Sequence, residues 1–203
     1  MNIESIMRTA PVIPVLVIDD VAHAAPVAQA LVAGGLRVLE VTLRTPAALD
    51  IIAEMAKVEG AIVGAGTVLN TADLDASLAA GAQFIVSPGL TEPLAHAAIA
   101  SGIAFLPGTA NASDIMRGLD LGLTRFKFFP ATASGGLPAL KALAAPFGKV
   151  RFCPTGGITL ATASEWLSED AVLCVGGSWI VPKGAPDTAL IRRNAAGAAA
   201  LSA

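Results

Sequence analysis

Two charged residues stand inside otherwise apolar runs of this chain. Lys127 lies in Arg125-Phe-Lys-Phe-Phe129, and Glu40 lies in Val38-Leu-Glu-Val-Thr-Leu-Arg44. Side chains alternate between the two faces of a strand. Phe126 and Phe128 therefore share one face, and Arg125, Lys127 and Phe129 the other. Likewise Leu39, Val41 and Leu43 share one face, with Glu40, Thr42 and Arg44 opposite. If the apolar faces pack outward on helices, a Lys, a Glu and an Arg point into one small compartment. Of five Lys and seven Glu, only Lys127 and Glu40 sit in mid-strand. Charges are seldom buried without a partner or a task. A lysine in an apolar pocket can shed its proton, since burial disfavours an ammonium. Its neutral amine can then attack a ketone and form a Schiff base, and the protonated imine draws electrons from a neighbouring C–C bond. Glu40 is the candidate proton shuttle. Arg44 offers a planar fork for a substrate carboxylate. The plainer alternative is a structural ion pair, Lys127 with Glu40.

A second constellation is rich in glycine. Pro154-Thr-Gly-Gly-Ile158 and Val175-Gly-Gly-Ser178 follow the last two β-like runs. In barrels, the loops after strands seven and eight often bind phosphate through backbone N–H groups. Paired glycines also make ordinary tight turns. Thr67 follows Gly64-Ala-Gly66 at a strand end, where it can touch substrate or cap the next helix. Pro88 is placed at the mouth, and Pro107-Gly108 is expected to turn the chain. His23 and His96 are placed on outer helices, and Trp166 and Trp179 read as packing anchors.

These residues need a scaffold, and the chain's texture supplies one. Eight short β-branched runs (12–18, 36–43, 61–65, 83–86, 103–106, 125–128, 150–153, 172–175) alternate with eight stretches of helical length (21–33, 47–58, 72–80, 92–101, 112–121, 137–145, 160–167, 187–200). Strands separated by helical patterns predict a parallel sheet. Near-continuous apolar strands predict burial on both faces. Glycines at 34, 35, 81, 102, 118 and 122 stand near expected helix ends. Eight units in 203 residues predict an α/β fold, a single-domain (β/α)8 TIM barrel over 1–203 with a short N-terminal helix. The alternative is an open doubly wound sheet. Its glycine fingerprint is broken here, because Leu69 stands where the third glycine belongs.

Composition removes several functions. With 54% apolar and 14% charged residues, the chain is far from disordered. A net charge of −3 and no basic run give no grip on nucleic acid or acidic lipid. Two His and two Cys, without CxxC or HExxH, do not make a zinc site. Cys153 and Cys174 read as reduced thiols, with a disulfide left open. The start lacks a basic n-region, and the charge-free stretch 93–113 is broken by Pro and Gly. The expectation is a cytoplasmic protein with no membrane partner.

The motifs Glu40-Val-Thr-Leu-Arg44-Thr, Gly64-Ala-Gly-Thr67, Ser87-Pro88-Gly, Phe126-Lys127-Phe-Phe-Pro-Ala, Pro154-Thr155-Gly156-Gly157-Ile and Gly176-Gly177-Ser178-Trp occur in this order. In these the sequence resembles the 2-keto-3-deoxy-6-phosphogluconate (KDPG) aldolases, class I aldolases of the Entner–Doudoroff pathway, from about Pro11 to about Pro182. The resemblance implies a homotrimeric barrel that cleaves a phosphorylated 2-keto sugar acid to pyruvate and glyceraldehyde 3-phosphate, and it implies no cofactor. It assigns Lys127 as the Schiff-base lysine and Glu40 as the general acid/base, working partly through water. Arg44 and Thr67 would hold the pyruvyl carboxylate with Pro88 nearby. Gly156, Gly157, Gly177 and Ser178 would bind phosphate. Thr155 matches the gluconate-type pattern; the galactonate-type enzyme is the alternative. Cleavage of 4-hydroxy-2-oxoglutarate (KHG) is an implied side activity. Thr132 stands where the family often has an acid, which bears on contacts at the mouth. The tail after Pro186 is short and Ala-rich. Two further readings stay open on the residues alone: a metal-dependent aldolase or barrel isomerase, and a non-catalytic phosphosugar-binding barrel.

Overall fold

The computed structural model describes residues 1–201. Its strands are β1 (Val12–Leu16), β2 (Val38–Thr42), β3 (Ile62–Gly66), β4 (Phe84–Val86), β5 (Ala104–Leu106), β6 (Gly108–Thr109), β7 (Arg125–Phe128), β8 (Arg151–Pro154) and β9 (Val175–Gly177). The helices are α1 (Ile3–Met7), α2 (Ala24–Ala33), α3 (Ala48–Met55), α4 (Thr71–Ala79), α5 (Glu92–Ser101), α6 (Ala112–Asp120), α7 (Gly136–Ala144), α8 (Leu160–Leu167) and α9 (Thr188–Ala199). All strand pairs are parallel. Six strands form one curled sheet in the order β5-β4-β3-β2-β1-β9, and β6-β7-β8 form a second.

Eight expected runs thus give nine strands. The fifth run, 103–106, gives β5, and an additional short strand follows Pro107, which has no N–H for the ladder. Pro107-Gly108 does not reverse the chain; β6 resumes at once, and the Pro107 carbonyl accepts from the Lys127 N–H at 2.8 Å. The eighth expected run, 172–175, is displaced. Val172 makes only an isolated bridge to Phe152, while the ladder runs over Val175–Gly177 against β1. A second bridge, Thr155 to Gly176, links β8 to β9.

Alternation divides the apolar side chains between two cores. One lies between sheet and helices and takes Leu39, Val41, Val63, Ile85, Phe105, Phe126, Phe128 and Phe152 from the strands. The other lies on the opposite sheet face and takes Ile13, Val38, Ile62, Phe84, Leu106, Cys153 and Cys174, closed by Ile6 and Met7 of α1. Each large side chain so buried is worth about 1.5–3 kcal/mol. An ion pair, Arg125 to Glu4 at 2.7 Å, ties α1 to the start of β7. Trp166 packs in the outer core 6.5 Å from the Phe128 ring, and Trp179 packs against the same core. His96 is exposed and His23 half-buried.

Helix ends follow local chemistry. Asn70, Asn111 and Asp187 accept from the backbone N–H three residues on, capping α4, α6 and α9. Gly102 ends α5 in the left-handed conformation. Gly118 differs from expectation, because it lies inside α6. The Phe126 ring occupies the space that a Cβ there would need.

Candidate active site

Residues that follow the C-terminal ends of the strands converge on a cavity of about 480 Å³. It is lined by Arg44 beyond β2, Thr67 beyond β3, Pro88 beyond β4, Phe129 beyond β7, Thr155, Gly156 and Gly157 beyond β8, and Ser178 beyond β9. Glu40 and Lys127 reach it from within β2 and β7. This is where ligands gather on parallel α/β sheets, because successive βα loops meet there. Gly177 is not among the lining residues. It is buried in β9 beside the Trp179 ring, and Gly176 lines the cavity instead.

Lys127 Nζ donates to Glu40 Oε1 at 2.9 Å, with the two side chains only 7% and 4% exposed. Lys127 stands between Phe126 and Phe128, which face the outer core, so the pleat turns its amine inward. The register pairs Lys127 with Cys153 on the inner side. The Phe129 ring lies 5.4 Å from Nζ. Glu40 is seated by an absence: Gly66 on β3 lacks a side chain, and a Cβ there would overlap the Glu40 carboxylate. Gly64 likewise makes room for the Phe84 ring. The Gly64-Ala-Gly66 pattern is thus a packing device inside a strand and not a nucleotide loop.

Thr67 holds φ at 61°, in the left-handed region. That conformation is unusual for a β-branched residue, costs on the order of 1–3 kcal/mol and tends to mark functional sites. Gly108 at the start of β6 lets the Pro88 loop approach closely, since a Cβ there would overlap the Pro88 backbone. Thr155 is buried, and its hydroxyl makes only long contacts, 3.4 Å to the Cys153 carbonyl and 3.9 Å to the Cys153 thiol. Gly156 and Gly157 have φ of 106° and 78°, which side chains rarely adopt.

The sequence reading missed one charged lining residue, Lys183. Phe129 shares a face with Lys127 and was visible through alternation. Lys183 lines the same cavity from the loop after β9. It lies outside any periodic run, so no pattern marked it. Among the described residues, neither Lys183 nor Arg44 makes an ion pair. Cys153 and Cys174 are both free and buried. A hydrogen bond with the neighbouring Cys153 thiol, then burial, pushes the Cys174 thiol well above its usual range. Among the described residues no cluster of three or more His, Cys, Asp or Glu could hold a metal ion, and no helix is long and apolar enough to cross a membrane.

A buried amine held by a carboxylate, under an open cavity on a parallel α/β sheet, has the parts of an imine-forming lyase. Known proteins bear on which kind. The family profile described as KDPG and KHG aldolase matches residues 3–194. The 2-dehydro-3-deoxy-phosphogluconate aldolase of Zymomonas mobilis is 63% identical over 190 residues, covering 94% of this chain and 91% of that one. A crystal structure of the Z. mobilis KDPG aldolase with 3-phosphoglycerate superposes with a TM-score of 0.97 at 61% identity, covering 98% and 96% of the two chains. The Legionella pneumophila KDPG aldolase, with pyruvate captured as a covalent carbinolamine, gives 0.95 at 43% identity, covering 98% and 99%. This chain belongs to the KDPG and KHG aldolase family.

Proposed function

We propose that this chain is a class I aldolase, cleaving 2-keto-3-deoxy-6-phosphogluconate to pyruvate and glyceraldehyde 3-phosphate in the Entner–Doudoroff route. The observation that carries the reading is the enclosed Lys127–Glu40 pair, 2.9 Å apart at the floor of the cavity. The Lys127 amine, once it has given up its proton, attacks C2 of the keto acid to give a carbinolamine, which takes a proton from solvent and loses water to form the protonated imine. Glu40 removes the C4 hydroxyl proton, directly or through water. The C3–C4 bond then breaks, its electrons pass to the protonated imine, and the aldehyde departs. Protonation of the enamine at C3 and hydrolysis release pyruvate and restore the amine. The pyruvate carbinolamine held by the L. pneumophila relative supports the first step.

Arg44 and Thr67 take the substrate carboxylate, with Pro88 shaping the wall and Thr155 beside the chain of hydroxyls. The phosphate lies toward Gly156, Gly157 and Ser178, with Gly177 setting the turn behind Ser178. Lys183 joins that end as its cation. The gluconate-type substrate is favoured over the galactonate type by the 63% identical relative of that name. KHG, which lacks the phosphate, is a secondary substrate.

The same reading treats the described chain as one domain, an eight-stranded (β/α)8 barrel. Its support is that the inner core draws on strands of both sheets and that β8 bridges to β9. A homotrimer is supported by the large apolar side chains left exposed on consecutive units, Leu69, Ile99, Met116 and Leu119. A cytoplasmic location is supported by two adjacent free thiols.

Borohydride reduction in the presence of pyruvate tests the reading. One adduct mapped to Lys127, absent from Lys127→Arg, is expected. No adduct, with cleavage abolished by a chelator, would replace it with a metal-dependent aldolase. No adduct and no cleavage, with phosphosugar still bound, would leave a binding barrel.

A further inference from the structure

The Gly156–Gly157 loop is held from outside by a residue of the neighbouring βα loop. Thr132 donates twice to the Gly156 carbonyl, from its backbone N–H at 3.1 Å and from its hydroxyl at 3.0 Å. One residue earlier, the Ala131 N–H donates to the Thr155 carbonyl at 2.8 Å. Gly157 packs directly on Thr132, whose side chain occupies the space a Cβ at 157 would need. In a trans peptide the C=O and the following N–H point in opposite directions. Turning the Gly156 carbonyl onto Thr132 therefore turns the Gly157 N–H the other way. Gly156 and Gly157 line the cavity, and among the described residues the Gly157 N–H donates to no backbone carbonyl. An unpaired N–H aimed into a cavity is a ready anion donor.

We propose that Thr132 is a positioning residue for the phosphate end of the substrate, fixing the Gly156–Gly157 peptide with its N–H turned into the cavity. The proposal rests on the reading above, that the cavity takes a phosphorylated keto acid. Thr132 touches no reacting atom. It acts through the peptide it holds, so it sets affinity for the phosphate and leaves imine chemistry at Lys127 alone. Both glycines are free to rotate in the absence of that hold, because neither has a side chain to fix it.

The test compares Thr132→Val, which keeps the shape and loses the hydroxyl, with Thr132→Ser, which keeps the hydroxyl. Thr132 is exposed, so neither change disturbs a core; a thermal midpoint checks this. Steady-state kinetics are measured on the phosphorylated keto acid, with inorganic phosphate as competitive inhibitor and borohydride trapping of pyruvate as the control. In the Val variant, KM and the phosphate inhibition constant should rise together by roughly two- to tenfold, the value of one hydrogen bond. The rate of pyruvate trapping should hold, and the Ser variant should behave as the parent protein. An unchanged phosphate constant in the Val variant would overturn the proposal. So would a fall in trapping as large as the loss of phosphate affinity, because that marks general loosening. If the parent protein itself traps no pyruvate, or is not inhibited by phosphate, the aldolase reading falls and the role of Thr132 with it.

Discussion

Glu40→Gln separates a catalytic pair from a structural one. Lys127 and Glu40 are 7% and 4% exposed, which puts them in the buried regime. There, removing one partner costs about 3–5 kcal/mol, against about 0–1 kcal/mol for a surface pair. Gln keeps the outline of Glu and one oxygen for the Lys127 bond, and Gly66 leaves room for that outline alone. The loss of stability should therefore lie near the lower end, about 3 kcal/mol. A domain with about 5–15 kcal/mol in hand remains folded. Catalysis should suffer separately. Gln can neither take nor return the C4 hydroxyl proton, and a lost general acid/base costs about 10²- to 10⁴-fold. That corresponds to roughly 3–5 kcal/mol in the barrier. Three measurements on one preparation suffice: urea unfolding, coupled detection of released pyruvate, and borohydride trapping. The expected pattern is a folded variant that still traps pyruvate at Lys127 but hardly cleaves substrate. Lowered stability with near-normal cleavage would mean that the pair is structural, and would refute the role given to Glu40.

Three further outcomes follow from the geometry. Gly66→Ala puts a methyl group into space held by the Glu40 carboxylate, so it should cost about 1–3 kcal/mol in urea unfolding and lower cleavage as well; unchanged values would mean that Glu40 is not fixed by β3. Lys183→Ala should raise KM for the phosphorylated substrate by about three- to tenfold and flatten its dependence on ionic strength, while KHG cleavage stays level; equal effects on both substrates would remove Lys183 from the phosphate end. The third concerns Cys174, whose thiol is pushed well above its usual range by a hydrogen bond with the Cys153 thiol and by burial. Its folded pKa is raised, so as pH climbs past the ordinary thiol range the unfolded chain loses the proton first, and stability falls from there upward. Urea midpoints between neutral and alkaline pH should show that fall, and Cys174→Ala should reduce it; an identical slope in the variant would contradict the assignment.

The site was half legible in the sequence, and the division has a physical cause. Lys127 and Glu40 could be found because a strand's pleat has a period of two. A charge between two core phenylalanines has only one direction left to point, and a chain with 14% charged residues makes such a charge conspicuous. The same pleat placed Phe129 in the cavity. Arg44, Thr67 and Pro88 were legible because they follow strand ends, where parallel sheets bring their loops together. What periodicity does not encode is the distance between elements far apart in sequence. Gly66 looked like part of a broken nucleotide fingerprint until β2 laid the Glu40 carboxylate across it, 26 residues apart in the chain. The apolar run 172–175 looked like the last strand, yet pairing with β1 selects Val175–Gly177, two of them glycines that no strand propensity would choose. Thr67 carries its left-handed backbone without any sequence sign, since a β-branched residue is among the least expected to adopt it. Lys183 sits in a Pro- and Gly-rich loop, where no period exists to assign a direction. The reactive pair was thus written into single strands. The groups that seat it and hold its substrate are set by contacts between strands and loops, and those depend on how the sheet curls.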